Sequence, residues 1–304
     1  MEKILDRIVK KNKIKTKFGN VANYIPGLDK AGKEDLGICL LDMDGNRYVH
    51  GDYNKKFTIQ SVSKPIALML AMLDNGVDYV FSKVGTEPTG DAFNSMIRLE
   101  TAIIKKPYNP MINAGAIAVS SMIKGKDKEE KFKRLLDFFK MVTENDTLEY
   151  NEEIYSGENR TGNKNRAMAY FMKDQGVIES SVEDSLDVYF KQCSIEVTTV
   201  DLAMVGMFLA RNGRLSTGEK IISDYQAKAV KSLMMTCGMY DGSGEFALKV
   251  GIPSKSGVGG GIMSVLPNKM GIGIYGPALD KKGNSIGGDG ILEDLSKELD
   301  LSIF

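Results

Sequence analysis

The chain has 304 residues, 42% of them hydrophobic, with 40 lysines and arginines set against 40 aspartates and glutamates. That is enough apolar material for one large domain or two smaller ones, and it excludes a disordered chain. A zero net charge leaves no field to draw in nucleic acid or an anionic membrane surface, so the expected partner is a small molecule.

Residues 1–10 carry charges every few positions, with Ile4, Leu5, Ile8 and Val9 on one helical face. This predicts an amphipathic helix rather than a secretory signal. No apolar run approaches the roughly 18 residues that a membrane-spanning helix needs. Cys39, Cys193 and Cys237 form an odd set in apolar or mixed surroundings, which argues against a disulfide framework and for a reducing, cytoplasmic location. Residues 38–41 and 47–50 flank Asp42-Met43-Asp44-Gly45-Asn46 and read as a hairpin around an Asp-Gly turn. Helical patterns follow over 65–74, 114–123, 129–142, 165–173, 200–211 and 224–235. Asn212-Gly213 closes one of them with the two residue types that best tolerate positive φ. The charged stretch 124–131 reads as a solvated loop and helix start. A second hairpin is expected at 261–266 and 270–275 around Pro267-Asn268-Lys269, before a closing helix over 291–299. Both chain ends thus contribute to one mainly antiparallel sheet, and the fold class is α/β (α+β). The expected α/β lobe spans about 1–60 plus 240–304, and a helical insertion spans about 61–239.

Histidine occurs once, at His50 in the first hairpin, and is assigned no catalytic role. A serine nucleophile in this chain therefore needs another base. Ser61-Val62-Ser63-Lys64 offers one, because residues three apart on a helix share a face. Ser61 follows the strand-like Phe57-Thr58-Ile59-Gln60, and Pro65 suits the first turn of a helix. Ser61 is thereby expected at a helix N-terminus, where free backbone N–H groups can stabilise an oxyanion. The spacing alone is weak, since Ser121-Met122-Ile123-Lys124 repeats it at an expected helix end.

Lys255-Ser256-Gly257 is the one Lys-[Ser/Thr]-Gly in the chain and is followed by Val258-Gly259-Gly260-Gly261. Its glycines admit close backbone approach, and Val258 N–H can supply a second oxyanion donor; an ordinary Gly-rich turn is the alternative. These glycines precede a strand and lack Walker spacing, which argues against a phosphate cradle. A lysine with pKa near ~10.4 is a poor base at neutral pH, and lowering it by about three units takes roughly 4 kcal/mol. Burial and a second cation at Lys255 both act in that direction, so the expectation is a neutral Lys64 that takes the Ser61 proton.

Ser-x-x-Lys with Lys-Ser-Gly resembles the penicillin-recognising serine hydrolases, the β-lactamases and transpeptidases. Those carry Ser-x-Asn or Tyr-x-Asn between the two motifs, and this chain has neither. A closer resemblance within the same fold runs nearly the whole length, to the bacterial-type serine-dependent glutaminases. It rests on Val21-Ala22-Asn23-Tyr24-Ile25-Pro26, residues 57–64, Asn109-Pro110-Met111-Ile112-Asn113-Ala114-Gly115-Ala116, Asn165-Arg166-Ala167, Cys237-Gly238-Met239-Tyr240-Asp241 and Lys255-Ser256-Gly257-Val258.

The resemblance implies a β-lactamase/transpeptidase-like fold and hydrolysis of L-glutamine to L-glutamate and ammonia through a glutamyl-serine ester. It implies Ser61, Lys64 and Tyr189 as catalytic groups, with Ser61, Asn113, Glu158, Asn165, Tyr189, Tyr240 and Val258 as the substrate-binding set. Lys255, Ser256 and Gly257 are implied as supporting residues. It also implies a cytoplasmic homo-oligomer, dimer or tetramer, without cofactor. No His/Cys/Asp cluster has ligand spacing, so no metal is expected. The chemistry of free glutamine fits this set. A carboxylate such as Glu158 suits the ammonium, and Asn113, Asn165 and the Tyr240 hydroxyl can donate to the α-carboxylate or the side-chain amide. Tyr189 resembles the tyrosine that replaces the missing Ser-x-Asn element and can relay a proton to the leaving ammonia.

Local sequence leaves plainer roles open. Asn113 and Asn165 can cap helices, Glu158 can sit on a solvated loop, and Tyr189 and Tyr240 can be packing aromatics. One departure is Gly157, where the family often has serine before the glutamate. A broader amidase or esterase of the same fold and a non-catalytic amino-acid-binding sensor remain as alternatives.

Overall fold

The computed structural model describes residues 1–92, 94–101 and 105–304. Its main sheet has five antiparallel strands in the order β2-β1-β7-β6-β5, formed by β1 (Gly37–Asp42), β2 (Arg47–Gly51), β5 (Ser254–Ser256), β6 (Gly261–Leu266) and β7 (Met270–Tyr275). The two chain ends meet where β1 pairs with β7, Ile38 opposite Ile274. Both expected hairpins are present. Asp42 accepts from the Asp44 and Asn46 amides, and Gly45 takes φ +84°, as the Asp-Gly turn requires. Asn268 turns the second hairpin at φ +57°. A separate two-stranded ribbon joins β3 (Phe57–Thr58) to β4 (Glu196–Val197).

Alternation along the strands sends Ile38, Leu40, Ile262, Ile272 and Ile274 to one face, where Leu5 and Ile8 of α1 (Glu2–Lys13) and Ile291 and Leu295 of α13 (Ile286–Leu299) cover them. The closing helix starts five residues earlier than its periodicity suggests, because Gly287, Gly288 and Gly290 dilute the apolar signal of its first turns. Against the other face lies α10 (Thr199–Ala210), started by a Thr198/Asp201 capping box and apolar nearly all round. It approaches β7 through Gly206, Gly271 and Gly273. A Cβ at Gly206 would stand 2.7 Å from the Ser264 carbonyl oxygen. Past its end, Asn212 and Gly213 take φ +53° and +81°, the expected stop.

The remaining helices are α2 (Lys64–Asn75), α3 (Val77–Lys83), α4 (Ile97–Thr101), α5 (Asn113–Ser121), α6 (Lys128–Thr143), α7 (Glu152–Thr161), α8 (Asn163–Asp174), α9 (Val182–Cys193), α11 (Asp224–Cys237) and α12 (Ser243–Lys249). Five of them, α2, α5, α6, α8 and α11, match the expected segments within a few residues. Those without a sequence-based expectation are α3, α4, α7, α9 and α12, as well as β4, the partner of the strand-like β3. In α7 the apolar signal is thin, with Ile154 and Tyr155 alone, whereas α9 carries a helical-period stripe of Val182, Leu186, Tyr189, Phe190 and Cys193; capping by Asn151 on Ile154 N and Ser181 on Asp184 N starts the two helices. The apolar core joining α2, α5, α6, α8, α9, α10 and α11 is one continuous cluster that also reaches the sheet through Met263, Val265 and Tyr275.

Candidate active site

Ser61 sits in a 3₁₀ turn, Gln60–Ser63, that runs directly into α2. The turn is entered through Gln60 at φ +49°, a left-handed conformation that a non-glycine residue adopts at a cost. Ribbon β3–β4 fixes the approach, since Ile59 N donates to Ile195 O at 2.8 Å. Ser61 is thus at a helix N-terminus, as expected, and is 7% exposed.

Lys64 opens α2 and is buried. Its Nζ donates to Met111 O at 3.1 Å and to Asn113 Oδ1 at 2.8 Å. Asn109 shapes the loop that delivers both acceptors, accepting on Oδ1 from Met111 N and Ile112 N while its Nδ2 donates to Glu87 O. Asn113 is the first residue of α5 and makes no cap; its Nδ2 donates to Asn165 Oδ1 at 3.2 Å. Asn165 lies in the first turn of α8 and likewise caps nothing. Burial, first of all, lowers the Lys64 pKa from 10.5 to about 8.

Lys255 lies on β5, paired opposite Met263, so the Lys-Ser-Gly motif is itself an edge strand rather than a turn before one. Its Nζ donates to Gly238 O at 3.1 Å and Ser256 O at 2.6 Å and stands 4.6 Å from the centroid of the Tyr240 ring. Burial pushes the Lys255 pKa well down, and the Lys64 cation pushes it further. Burial is the leading cause of the downward shift at both lysines. Beyond β5 the chain runs against the Ser61 turn: a Cβ at Gly257 would meet Ile59 O at 2.9 Å and Ser61 N at 3.3 Å. Only glycine lets the Val258 segment lie beside Ser61.

Tyr240, at φ +54°, is buried; burial raises the pKa of its hydroxyl, and the nearby Ser61 side chain and Val258 backbone act against that rise. Tyr189 projects from α9 and is 3% exposed, with its hydroxyl hydrogen-bonded to Cys193. Glu158 lies inside α7 at 7% exposure, not on a solvated loop. Burial raises its pKa from 4.5 to about 7, against the lowering effects of a Gln60 side-chain hydrogen bond and the Lys64 charge. Gly157 is accounted for by packing, since a Cβ there would stand 2.9 Å from Pro26 O.

Ser61, Asn113, Glu158, Asn165, Tyr189 and Val258 line one cavity of about 250 Å³, whereas Tyr240, Lys64 and Lys255 are not among its lining residues. Gln60, Tyr24 and Cys193 line it too. They lie within or beside the quoted sequence blocks but carry no spacing signal of their own. A larger hollow of about 390 Å³ lies behind Tyr240, bounded by Glu245, Lys249 and Lys282, which are already paired with one another. It holds no nucleophile. The second Ser-x-x-Lys ends α5, where Ser121 Oγ donates to Ala118 O within its own helix. Among the described residues no group of three or more His, Cys, Asp or Glu side chains is placed to hold a metal.

The glutaminase family model matches residues 19–304. The chain belongs to the glutaminase family. A glutaminase of Fusobacterium nucleatum subsp. nucleatum is 63% identical over 304 residues, covering 100% of both chains. A probable glutaminase of Bacillus subtilis superposes with a TM-score of 0.93 at 41% identity, covering 99% of this chain and 97% of that one. Another Bacillus subtilis glutaminase structure, a covalent complex with 5-oxo-L-norleucine formed by reaction with 6-diazo-5-oxo-L-norleucine, superposes at 0.91 with 40% identity and 99% coverage of each chain. The expected β-lactamase-like fold and the glutaminase resemblance are both borne out, and the chain is an amidohydrolase of this family.

Proposed function

We propose that the protein hydrolyses L-glutamine to L-glutamate and ammonia through a glutamyl ester on Ser61. One observation supports this most directly: a buried carboxylate, Glu158, opens on the same small cavity as a serine held at a helix N-terminus. A free amino acid brings an ammonium that needs such a carboxylate, and Asn113 and Asn165 add neutral polar partners for its other end.

In this reading neutral Lys64 takes the Ser61 proton as Oγ adds to the substrate's δ-carbonyl carbon. The oxyanion is held by the backbone N–H groups of Ser61 and Val258. Collapse breaks the C–N bond, and the nitrogen leaves as ammonia after accepting a proton that originated on Ser61. Tyr240, whose hydroxyl is electrostatically coupled to Ser61, and Tyr189, on the cavity wall, are the two hydroxyls available to pass that proton. Water then adds to the ester carbonyl, Lys64 again accepting a proton, and glutamate departs with Ser61 restored. No cofactor takes part.

Three buried free thiols suit a reducing cytoplasm. Assembly as a homo-oligomer, dimer or tetramer, rests on the family resemblance and is read by sedimentation. The deciding assay is ammonia release from glutamine, asparagine and a penicillin by wild type and Ser61→Ala. Release from glutamine that Ser61→Ala abolishes supports the reading. Turnover of substrates lacking the α-ammonium favours a broader amidase, binding without ammonia favours a sensor, and activity surviving in Ser61→Ala removes the nucleophile assignment.

A further inference from the structure

The nucleophile turn is held in an unfavourable conformation, and something must hold it there. Gln60 sits at φ +49° and is 3% exposed, so neither glycine freedom nor solvent relaxes it. Its backbone carbonyl accepts from Ser63 Oγ at 2.7 Å. That hydroxyl in turn accepts from Gln192 Nε2 at 3.0 Å, and Gln192 Oε1 lies 3.1 Å from Ser120 Oγ, sharing its single proton with Ala116 O at 2.9 Å. Ser63, Gln192 and Ser120 are each fully buried.

Gln192 therefore ties together three elements that each carry part of the site. The nucleophile turn carries Ser61, α5 begins at Asn113, and α9 carries both Tyr189 and Gln192. Tyr189 and Gln192 are three apart on α9, so one face presents a hydroxyl to the cavity and an amide to the turn. The directionality is specific. With Ser63 donating to a carbonyl, its oxygen needs a donor, and a glutamine amide is a neutral side chain that can donate there and accept from Ser120 at once. In a dry interior such a chain is rigid, because every broken link leaves a buried group without its partner.

We infer that Gln192 is a positioning residue for the nucleophile: through Ser63 it holds the Gln60 carbonyl, and with it the Ser61 hydroxyl and amide, in register with Asn113 and Tyr189. The inference rests on Ser61 being the nucleophile. A role in folding alone would lower stability and leave the chemistry of the folded enzyme intact; positioning predicts the reverse weighting. Gln192→Leu keeps the bulk and leaves Ser120 bonded to Ala116 O and Ser63 to Gln60 O, so the fold retains those links.

The test compares wild type, Gln192→Leu, Ser63→Ala and the double variant. The readouts are kcat and KM for glutamine, thermal melts, and the rate of covalent labelling of Ser61 by 6-diazo-5-oxo-L-norleucine, followed by intact mass and peptide mapping. Each single variant is expected to slow both kcat and labelling about 10- to 100-fold, the scale of a sub-ångström to ångström misplacement, with KM nearly unchanged. The double variant should be no slower than the worse single one, because both changes cut the same chain. Wild-type labelling and kcat in folded Gln192→Leu, or two losses that multiply, would overturn the inference. Were Gln192→Leu not to fold, Ser63→Ala alone reads the same link. Wild-type enzyme labelled elsewhere than Ser61 would instead sink the nucleophile reading, and this inference with it.

Discussion

Replacing Glu158 by glutamine tests the site at its most informative point. The side chain keeps its shape, its burial and its place in α7, and loses only the charge. A hydrogen bond to a charged group is worth about 1.5–3 kcal/mol, and at about 1.4 kcal/mol per decade the KM for glutamine should rise roughly 10- to 150-fold. The pH profile should change as well. Burial raises this carboxyl to about 7, so the free enzyme holds its anionic form only above that pH. Binding of the substrate ammonium should then weaken about 2-fold at pH 7 and about 11-fold at pH 6 relative to alkaline pH. Because the bound ammonium itself favours the carboxylate, this limb belongs to kcat/KM and fades from kcat. Glu158→Gln should lack it and keep only the limb from Lys64 at about 8. Initial rates of ammonia release across pH 5.5–9 read both effects. A KM within about 2-fold of wild type, or an acid limb near 7 that survives the substitution, would refute the assignment of Glu158 to the ammonium.

The same substitution makes an opposite prediction for stability. A carboxyl raised from 4.5 to about 7 contributes its stability below about 4.5 and loses it as pH climbs through about 7, a difference of roughly 3 kcal/mol at most. Glu158→Gln should therefore melt higher than wild type at pH 8 and about the same at pH 4; equal melting at pH 8 contradicts the burial account. Lys64→Met should cost about 10²–10⁴ in kcat with little net change in thermal stability, the relief of a buried amine offsetting the loss of its bonds to Met111 O and Asn113 Oδ1, and the wild-type rise in kcat through pH 8 should vanish with it. Tyr240→Phe should lower kcat more than Tyr189→Phe, because the Tyr240 hydroxyl is the one that couples to the Ser61 side chain; the reverse order would return the relay to Tyr189. Gly257→Ala should reduce kcat well beyond its effect on KM, its Cβ falling 2.9 Å from Ile59 O, and unaltered kcat would show that the turn has slack.

Much of the site is legible in the chain because it is built from short-range geometry. Ser61 and Lys64 stand one turn apart whatever the rest of the fold does, and Pro65 and the strand-like 57–60 place that turn at a helix start. The hairpins at Gly45 and Asn268 follow from residues that tolerate positive φ. Glu158 and Tyr189 were harder. Helix α7 has little apolar signal, and in α9 Tyr189 falls on the apolar stripe with Val182, Leu186 and Phe190, where its spacing marks it only as a packing residue. Only the resemblance singled those two residues out. Gln192 carried no signal at all, since a buried glutamine has meaning only once its partners are known.

The sequence by itself determined the chemistry on offer: a serine and lysine on one helical face, a glycine-flanked second lysine, and both ends of the chain as strands of one sheet. Tertiary structure decided what those groups are worth. Lys64 meets Asn113 across 49 residues and Gln192 reaches Ser63 across 129. Burial, a property of the assembled core rather than of any segment, lowers the Lys64 pKa to about 8 and raises that of Glu158 to about 7. Spacing along a chain sets which neighbours can touch, but desolvation depends on everything packed around them, and no local pattern encodes it.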